Sequence, residues 1–212
     1  MQARGLKWGS GEAQVLADGD FDLDGTTKAW AAKGKATLQR ANQGAQLDFD
    51  AQGNEAKMRV QALTARMDSG KLEATGELAW SPALAYDFDA SLAGFDPGYF
   101  APDWPGAVSG RVQVAGGRAK DGGSDTHLVL SQMGGALRTR PLSGRADLRI
   151  HSPADARAAS SYEGDAALRL GDSNVEAKGR IAQSLEVDAR FAPLQLSDFL
   201  PDVTTAVELG SM

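Results

Sequence analysis

Apolar and polar residues alternate along most of the chain with a period of two, the spacing of strands that bury one face and wet the other. Ala13, Val15, Ala17, Phe21 and Leu23 point one way while Glu12, Gln14, Asp18, Asp20, Asp22 and Asp24 point the other. The same reading places Trp30, Ala32, Ala36 and Leu38 on one face, then Ala45, Leu47, Phe49 and Ala51, then Ala56, Met58, Val60 and Ala62. It continues through Leu72, Ala74, Leu78 and Trp80, a Ser81-Pro82 turn, and Leu84, Tyr86, Phe88, Ala90 and Leu92, which predicts a hairpin. Later runs are Val108, Val112 and Val114; Leu128 and Leu130; Leu142, Ala146, Leu148 and Ile150; Tyr162, Ala166, Leu168 and Leu170; Val175, Ala177 and Ile181; and Leu185, Val187, Ala189 and Phe191. Helical spacing is nearly absent, and most glycines fall between runs, where turns need them. The pattern predicts an all-β chain of strands of roughly eight residues, each about 26 Å long.

Two segments break the alternation, 95–104 and 194–202. Each has helix-start residues, apolar spacing of three to five and a proline near its end, and each predicts a short helical insert. An offset of 99 superposes Phe100 on Phe199, Ala90 on Ala189, Ala93 on Ala192, Pro102 on Pro201 and Asp103 on Asp202, which reads as a long internal repeat. A repeat of this kind favours an elongated architecture over a closed globule. The last residues, Val203-Thr204-Thr205-Ala206-Val207, read as a strand beginning, so both ends are expected to be cuts within a longer protein, with 1–212 one continuous β segment.

One apolar face must be covered by a second sheet, by closure into a barrel, by helices, or by something that is not protein. The strands leave no helices for the purpose. A sandwich stays open, but the inward set mixes large residues with many alanines and leaves volume that an apolar ligand could fill. The side chains expected to line such a groove are Val15, Phe21, Leu23, Trp30, Leu38, Leu47, Phe49, Met58 and Val60; Leu72, Leu78, Trp80, Leu84, Tyr86, Phe88 and Leu92; and Val112, Val114, Leu148, Ile150, Leu168, Leu170, Val175, Ile181, Leu185, Val187 and Phe191. Trp104, in the first insert, is a candidate plug or cap.

The chain of 212 residues is 42% hydrophobic and 24% charged, as folded soluble chains are, with 22 Lys and Arg against 28 Asp and Glu and a formal net charge of −6. No basic cluster offers a footprint for nucleic acid. With no cysteine there are no disulfides, thiol nucleophiles or Cys-ligated zinc. No run approaches the roughly 18 apolar residues of a membrane helix, and the first residues lack the apolar core of a signal peptide. Asp20-Phe21-Asp22-Leu23-Asp24-Gly25 matches the first half of a calcium loop, but Ala31 stands where the bidentate glutamate belongs, and a solvated strand face explains the spacing better. His127 and His151 have no nucleophile elbow beside them in sequence. No metal, cofactor or catalytic residue is assigned, and the chain is not expected to be an enzyme.

The stretch Leu92-Ala-Gly-Phe95-Asp-Pro-Gly-Tyr-Phe-Ala-Pro-Asp103-Trp104-Pro105-Gly106-Ala-Val-Ser109-Gly110-Arg111-Val112 resembles a recurring turn-and-strand unit of the TamB family. Similar phrases are Leu137-Arg-Thr-Arg140-Pro141-Leu142-Ser143-Gly144-Arg145-Ala146-Asp147-Leu148 and the opening Gly5-Leu6-Lys7-Trp8-Gly9. These are strand and turn phrases without catalytic content. The resemblance implies a strongly curved, elongated, antiparallel-rich sheet forming a U-shaped apolar groove (a β-taco) with short helical inserts. It further implies a periplasmic location in a Gram-negative bacterium with an inner-membrane anchor elsewhere, the outer-membrane barrel TamA as partner, phospholipid acyl chains as cargo, and a link to assembly of outer-membrane protein clients. The competing expectations are a scaffold whose edges pair with client strands, a carbohydrate-active enzyme using two of the many aspartates, and a membrane β-barrel.

Overall fold

The computed structural model describes residues 2–8, 14–40, 43–99, 101–155, 157–182 and 184–195. Period-two alternation becomes thirteen antiparallel strands in one sheet, each hydrogen-bonded to the strand before and after it in sequence. They are β1 Gln2–Trp8, β2 Val15–Thr26, β3 Ala29–Arg40, β4 Gln43–Gly53, β5 Lys57–Met67, β6 Gly70–Ala79, β7 Ala85–Phe95, β8 Gly106–Arg118, β9 Ser124–Leu137, β10 Arg140–Ser152, β11 Ser161–Leu170, β12 Ser173–Ile181 and β13 Leu185–Phe191. Among the described residues β1 and β13 are the edge strands, and the sheet neither closes into a barrel nor forms half of a sandwich. At about 4.8 Å between strands it is roughly 60 Å long.

Three expectations need correction. Most strands run 10 to 14 residues, not eight, because the alternation passes through glycines that read as breaks, such as Gly19 and Gly25. The opening residues 2–8 form strand β1, although they carry no run of alternating apolar residues; pairing to β2 holds them. Ala62 is not on the apolar face. A bulge between Val60 and Leu63 sets Ala62 opposite Asp50 on the polar face and gives its inner place to Leu63, opposite Phe49.

The polar face is laced by exposed ion pairs between adjacent strands: Lys33–Asp50 at 2.8 Å, Lys35–Asp48 at 3.7 Å, Arg59–Glu77, and Arg145–Asp165 at 2.6 Å. Such pairs contribute about 0–1 kcal/mol each, so they select register more than they add stability. The Arg59 hydrogen bond and charge hold the Glu77 carboxyl below its usual range. Asp20, Asp22 and Asp24 belong to this face, on a strand opposite Lys35, Lys33 and Ala31, and do not form a loop.

His151 at the end of β10 bonds Asp125 through Nδ1 at 2.7 Å and Asp121 through Nε2 at 3.1 Å. The Asp125 bond, then the two carboxylate charges, raise its pKa above 6.5 against a smaller opposing effect of desolvation. His127 Nε2 lies 2.7 Å from Asp147 Oδ1. These carboxylates are 20 to 30 residues from their histidines, out of reach of local sequence inspection.

The connection from β7 to β8 is a ten-residue strap. Asp96 organises it: its Oδ1 accepts from the Gly98 and Gly106 amides at 2.8 and 2.9 Å, and a single 3-10 turn follows at Pro97–Tyr99. At its far end the Pro105 carbonyl accepts from the Arg138 amide at 2.7 Å, and the Arg138 guanidinium lies 5.5 Å from the centre of the Trp104 ring. Arg138 and Thr139 make the β9–β10 turn at φ 50° and 65°, a region that costs a non-glycine residue roughly 1–2 kcal/mol.

Removing the Asp96 carboxylate leaves two amides without their acceptor, and Asp96→Ala is expected to lower stability by about 1–3 kcal/mol in chemical denaturation. Thr139→Gly relieves the turn and should raise stability by about 0.5–1 kcal/mol in the same assay. The His151 contribution is fully present at pH below its ordinary value and is lost as pH rises through its raised folded value. NMR titration should therefore place the His151 midpoint above 6.5, and Asp125→Asn should bring it down.

Candidate functional site

The register sets apolar residues side by side in rows that cross the sheet. One row runs Leu23, Ala32, Ala51, Val60, Gly76, Phe88, Val114, Leu128, Leu148, Gly164, Gly179 and Val187. Its neighbour runs Phe21, Gly34, Phe49, Leu63, Ala74, Ala90, Val112, Leu130, Ala146, Ala166, Ala177 and Ala189. A third contains Trp30, Met58, Leu78, Tyr86, Ile150, Tyr162, Ile181 and Leu185. Leu38, Leu47, Leu72, Leu92, Leu168, Val175 and Phe191 extend the same face toward the opposite strand ends. Val15 and Leu170 lie at those ends and are buried. Trp80 and Leu84 stand in the β6–β7 turn and are exposed.

Ala32, Ala36, Ala51, Ala65 and Ala74 on the apolar face are buried or half-buried, Ala31, Ala62 and Ala93 on the polar face are exposed, and Ala115 and Ala167 on the polar face are half-buried. The described sheet is open, with one continuous apolar face. Most of its residues remain half-exposed, because no other part of the described chain packs over the centre.

Glycines let this face close up. A β-carbon at Gly34 would sit 2.6 Å from Phe21 Cβ and 2.9 Å from Phe49 Cε1, and one at Gly53 would sit 2.5 Å from Trp30 Cζ2. The Phe88 ring occupies that place at Gly76, and Tyr86 lies across Gly116 so that its hydroxyl reaches Thr126 Oγ1 at 2.6 Å. These aromatic rings lie over glycines of the neighbouring strands.

The apolar face is covered along part of one edge. Arg40 of β3 is 6% exposed on the apolar face and donates through Nη1 to the Tyr99 carbonyl of the strap, while Gln43 Nε2 donates to Asp96 Oδ2 at 3.3 Å. Tyr99 is 1% exposed, and its burial pushes the phenol pKa up against the opposing pull of Arg40. Beneath lie Val15, Ala45, Phe95 and Val108, all buried. The corresponding edge near β12 holds buried Leu170 and Ser173, with the Gln195 amide donating to Ser173 Oγ at 2.8 Å. Apart from Leu194 and Gln195, the second expected insert, 194–202, lies outside the described residues.

Pattern reading of the chain did not single out Arg40, Tyr99 or Leu63. Leu63 had a signal, since Val60 and Leu63 are three apart where the rhythm demands two; the Arg40–Tyr99 tie, across 59 residues, had none. A depression of about 760 Å³ is lined by Asp20, Asp22, Lys33, Lys35, Asp48 and Asp50 together with Phe21, Phe49 and Ala62. No group of three or more metal-ligating His, Cys, Asp or Glu side chains occurs among the described residues, and no helix among them is long and apolar enough to cross a membrane.

No solved structure matches the chain. The family model described as TamB, N-terminal domain, matches residues 3–210, nearly the whole length. An open, curved, all-β sheet with one continuous apolar face accords with that match, and the chain belongs to the TamB family.

Proposed function

We propose that this chain is a segment of a periplasmic lipid conduit, whose trough carries phospholipid acyl chains between inner and outer membrane, and that it has no enzymatic role. The carrying observation is the set of apolar rows across thirteen strands with no protein layer over their centre. Leaving a Leu, Val or Phe half-covered forgoes on the order of 1 kcal/mol of the burial energy available to it. Repeated over some twenty side chains, that shortfall favours an apolar occupant. Acyl chains match it: they need no hydrogen bonds, fit a long narrow channel and slide along a wall kept smooth by rings laid over glycines. Membership in the TamB family supports an inner-membrane-anchored periplasmic protein working with the outer-membrane protein TamA.

A second reading has its own observation. β1 and β13 leave backbone groups on their outer edges, and every residue of β13 is exposed, so client strands of outer-membrane proteins could pair there. Proline substitutions in β13 would abolish client crosslinks under this reading while acidic substitutions in the trough would not.

For the conduit, Phe49→Asp, Leu78→Asp, Phe88→Asp and Leu148→Asp are each expected to keep the β-sheet circular dichroism of the parent. Each should reduce photo-crosslinking to phospholipid labelled in its acyl chain by roughly ten-fold, since one buried charge outweighs the 1.4 kcal/mol that factor represents. A parent that captures no lipid, with variants that unfold, would mean that the apolar face is a closed core.

A further inference from the structure

The two long edges of the trough differ. The turns after β3, β5, β7, β9 and β11 form one rim, and those after β2, β4, β6, β8, β10 and β12 form the other. Six of the seven buried hydrophobic residues, Val15, Ala45, Phe95, Tyr99, Val108 and Leu170, lie along the first rim, where the strap is tied down through Arg40, Gln43 and Arg138. The second rim exposes Trp80 at 44%, Leu84 at 51%, Tyr162 at 45% and Leu185 at 72%, whereas on the first rim exposed large apolar residues are confined to the outermost strands, Leu6 at 58% and Leu16 at 38% on β1 and β2 and Phe191 at 40% on β13.

We infer, resting on the conduit reading, that phospholipid occupies the trough in one orientation, with acyl chains inside and the phosphate headgroup along the second rim, the strapped rim being closed to it. Two further observations support this. Charge separates the rims: the described turns of the strapped rim carry Asp68, Asp96, Asp103 and Asp172 against Arg138, whereas the open rim carries Lys28, Lys120 and Arg157 against Glu55, Asp121 and Asp155. An anionic headgroup is repelled by the first and tolerated by the second. The open rim also displays amphipathic rings, which settle where hydrocarbon meets headgroup. Trp80 has its Nε1 on the Glu55 carbonyl at 2.7 Å with its ring still exposed, and Tyr162 stands at the same rim. On the strapped rim the nearby guanidiniums are engaged by the strap itself, Arg40 on the Tyr99 carbonyl and Arg138 over Trp104.

The test uses two phosphatidylglycerols in vesicles, one with a diazirine on the headgroup glycerol and one with it in an acyl chain, each irradiated with the full chain and mapped by peptide mass spectrometry. The acyl label should mark the interior of β4, β7 and β10. The headgroup label should mark the β6–β7 and β10–β11 turns roughly ten-fold more than residues 96–105. Releasing the strap with Arg40→Ala and Asp96→Ala should raise headgroup labelling of 96–105, and Trp80→Asp, in an exposed turn, should reduce labelling of the open rim. Equal headgroup labelling of the two rims, or an unchanged ratio when the strap is released in a folded chain, overturns the orientation while the conduit stands. Absence of acyl labelling in the parent overturns both.

Discussion

A sheet with one apolar face in water has to find a cover, and the described strands provide none of their own. The remaining features follow from that constraint. Glycines on the apolar face let neighbouring rings lie close to the backbone, as Phe49 does over Gly34 and Trp30 over Gly53. Most of the apolar side chains remain half-exposed.

The polar face carries a different responsibility. Rows of Asp, Glu, Lys and Arg keep this face in water, and their pairings penalise a one-residue slip, which would bring Lys33 and Asp50 onto the apolar face and Leu23 off it. The strap is the one place where the chain leaves the meander, and it spends its polar groups on holding itself down. Asp96 fixes its start, Arg40 and Gln43 meet it from strands β3 and β4, and Arg138 receives its end. Two edges built to different rules give a symmetric-looking trough a preferred side.

Much of this was legible in the alternation, because a period of two survives as long as each residue has only two faces to choose between. Every large residue expected on the groove face and lying within a strand, from Phe21 to Phe191, shares one face in the register. The rhythm misled where an extra residue entered, at the bulge before Leu63, and where pairing alone holds a strand, in β1. Strand length was underestimated because glycine within a strand looks, in sequence, like glycine in a turn. The Arg40 tie and the histidine–aspartate pairs join positions far apart along the chain, and only the folded sheet brings them together.

The most direct test of the central claim is native mass spectrometry of the chain released from phospholipid nanodiscs under conditions that preserve the fold. An open apolar trough predicts adducts at the mass of one or more intact phospholipids, lost when Phe88 is replaced by Asp in a chain that keeps its β-sheet signal. A parent that emerges only as the bare polypeptide, with its fold intact, would contradict the account and return the apolar face to the role of an ordinary core.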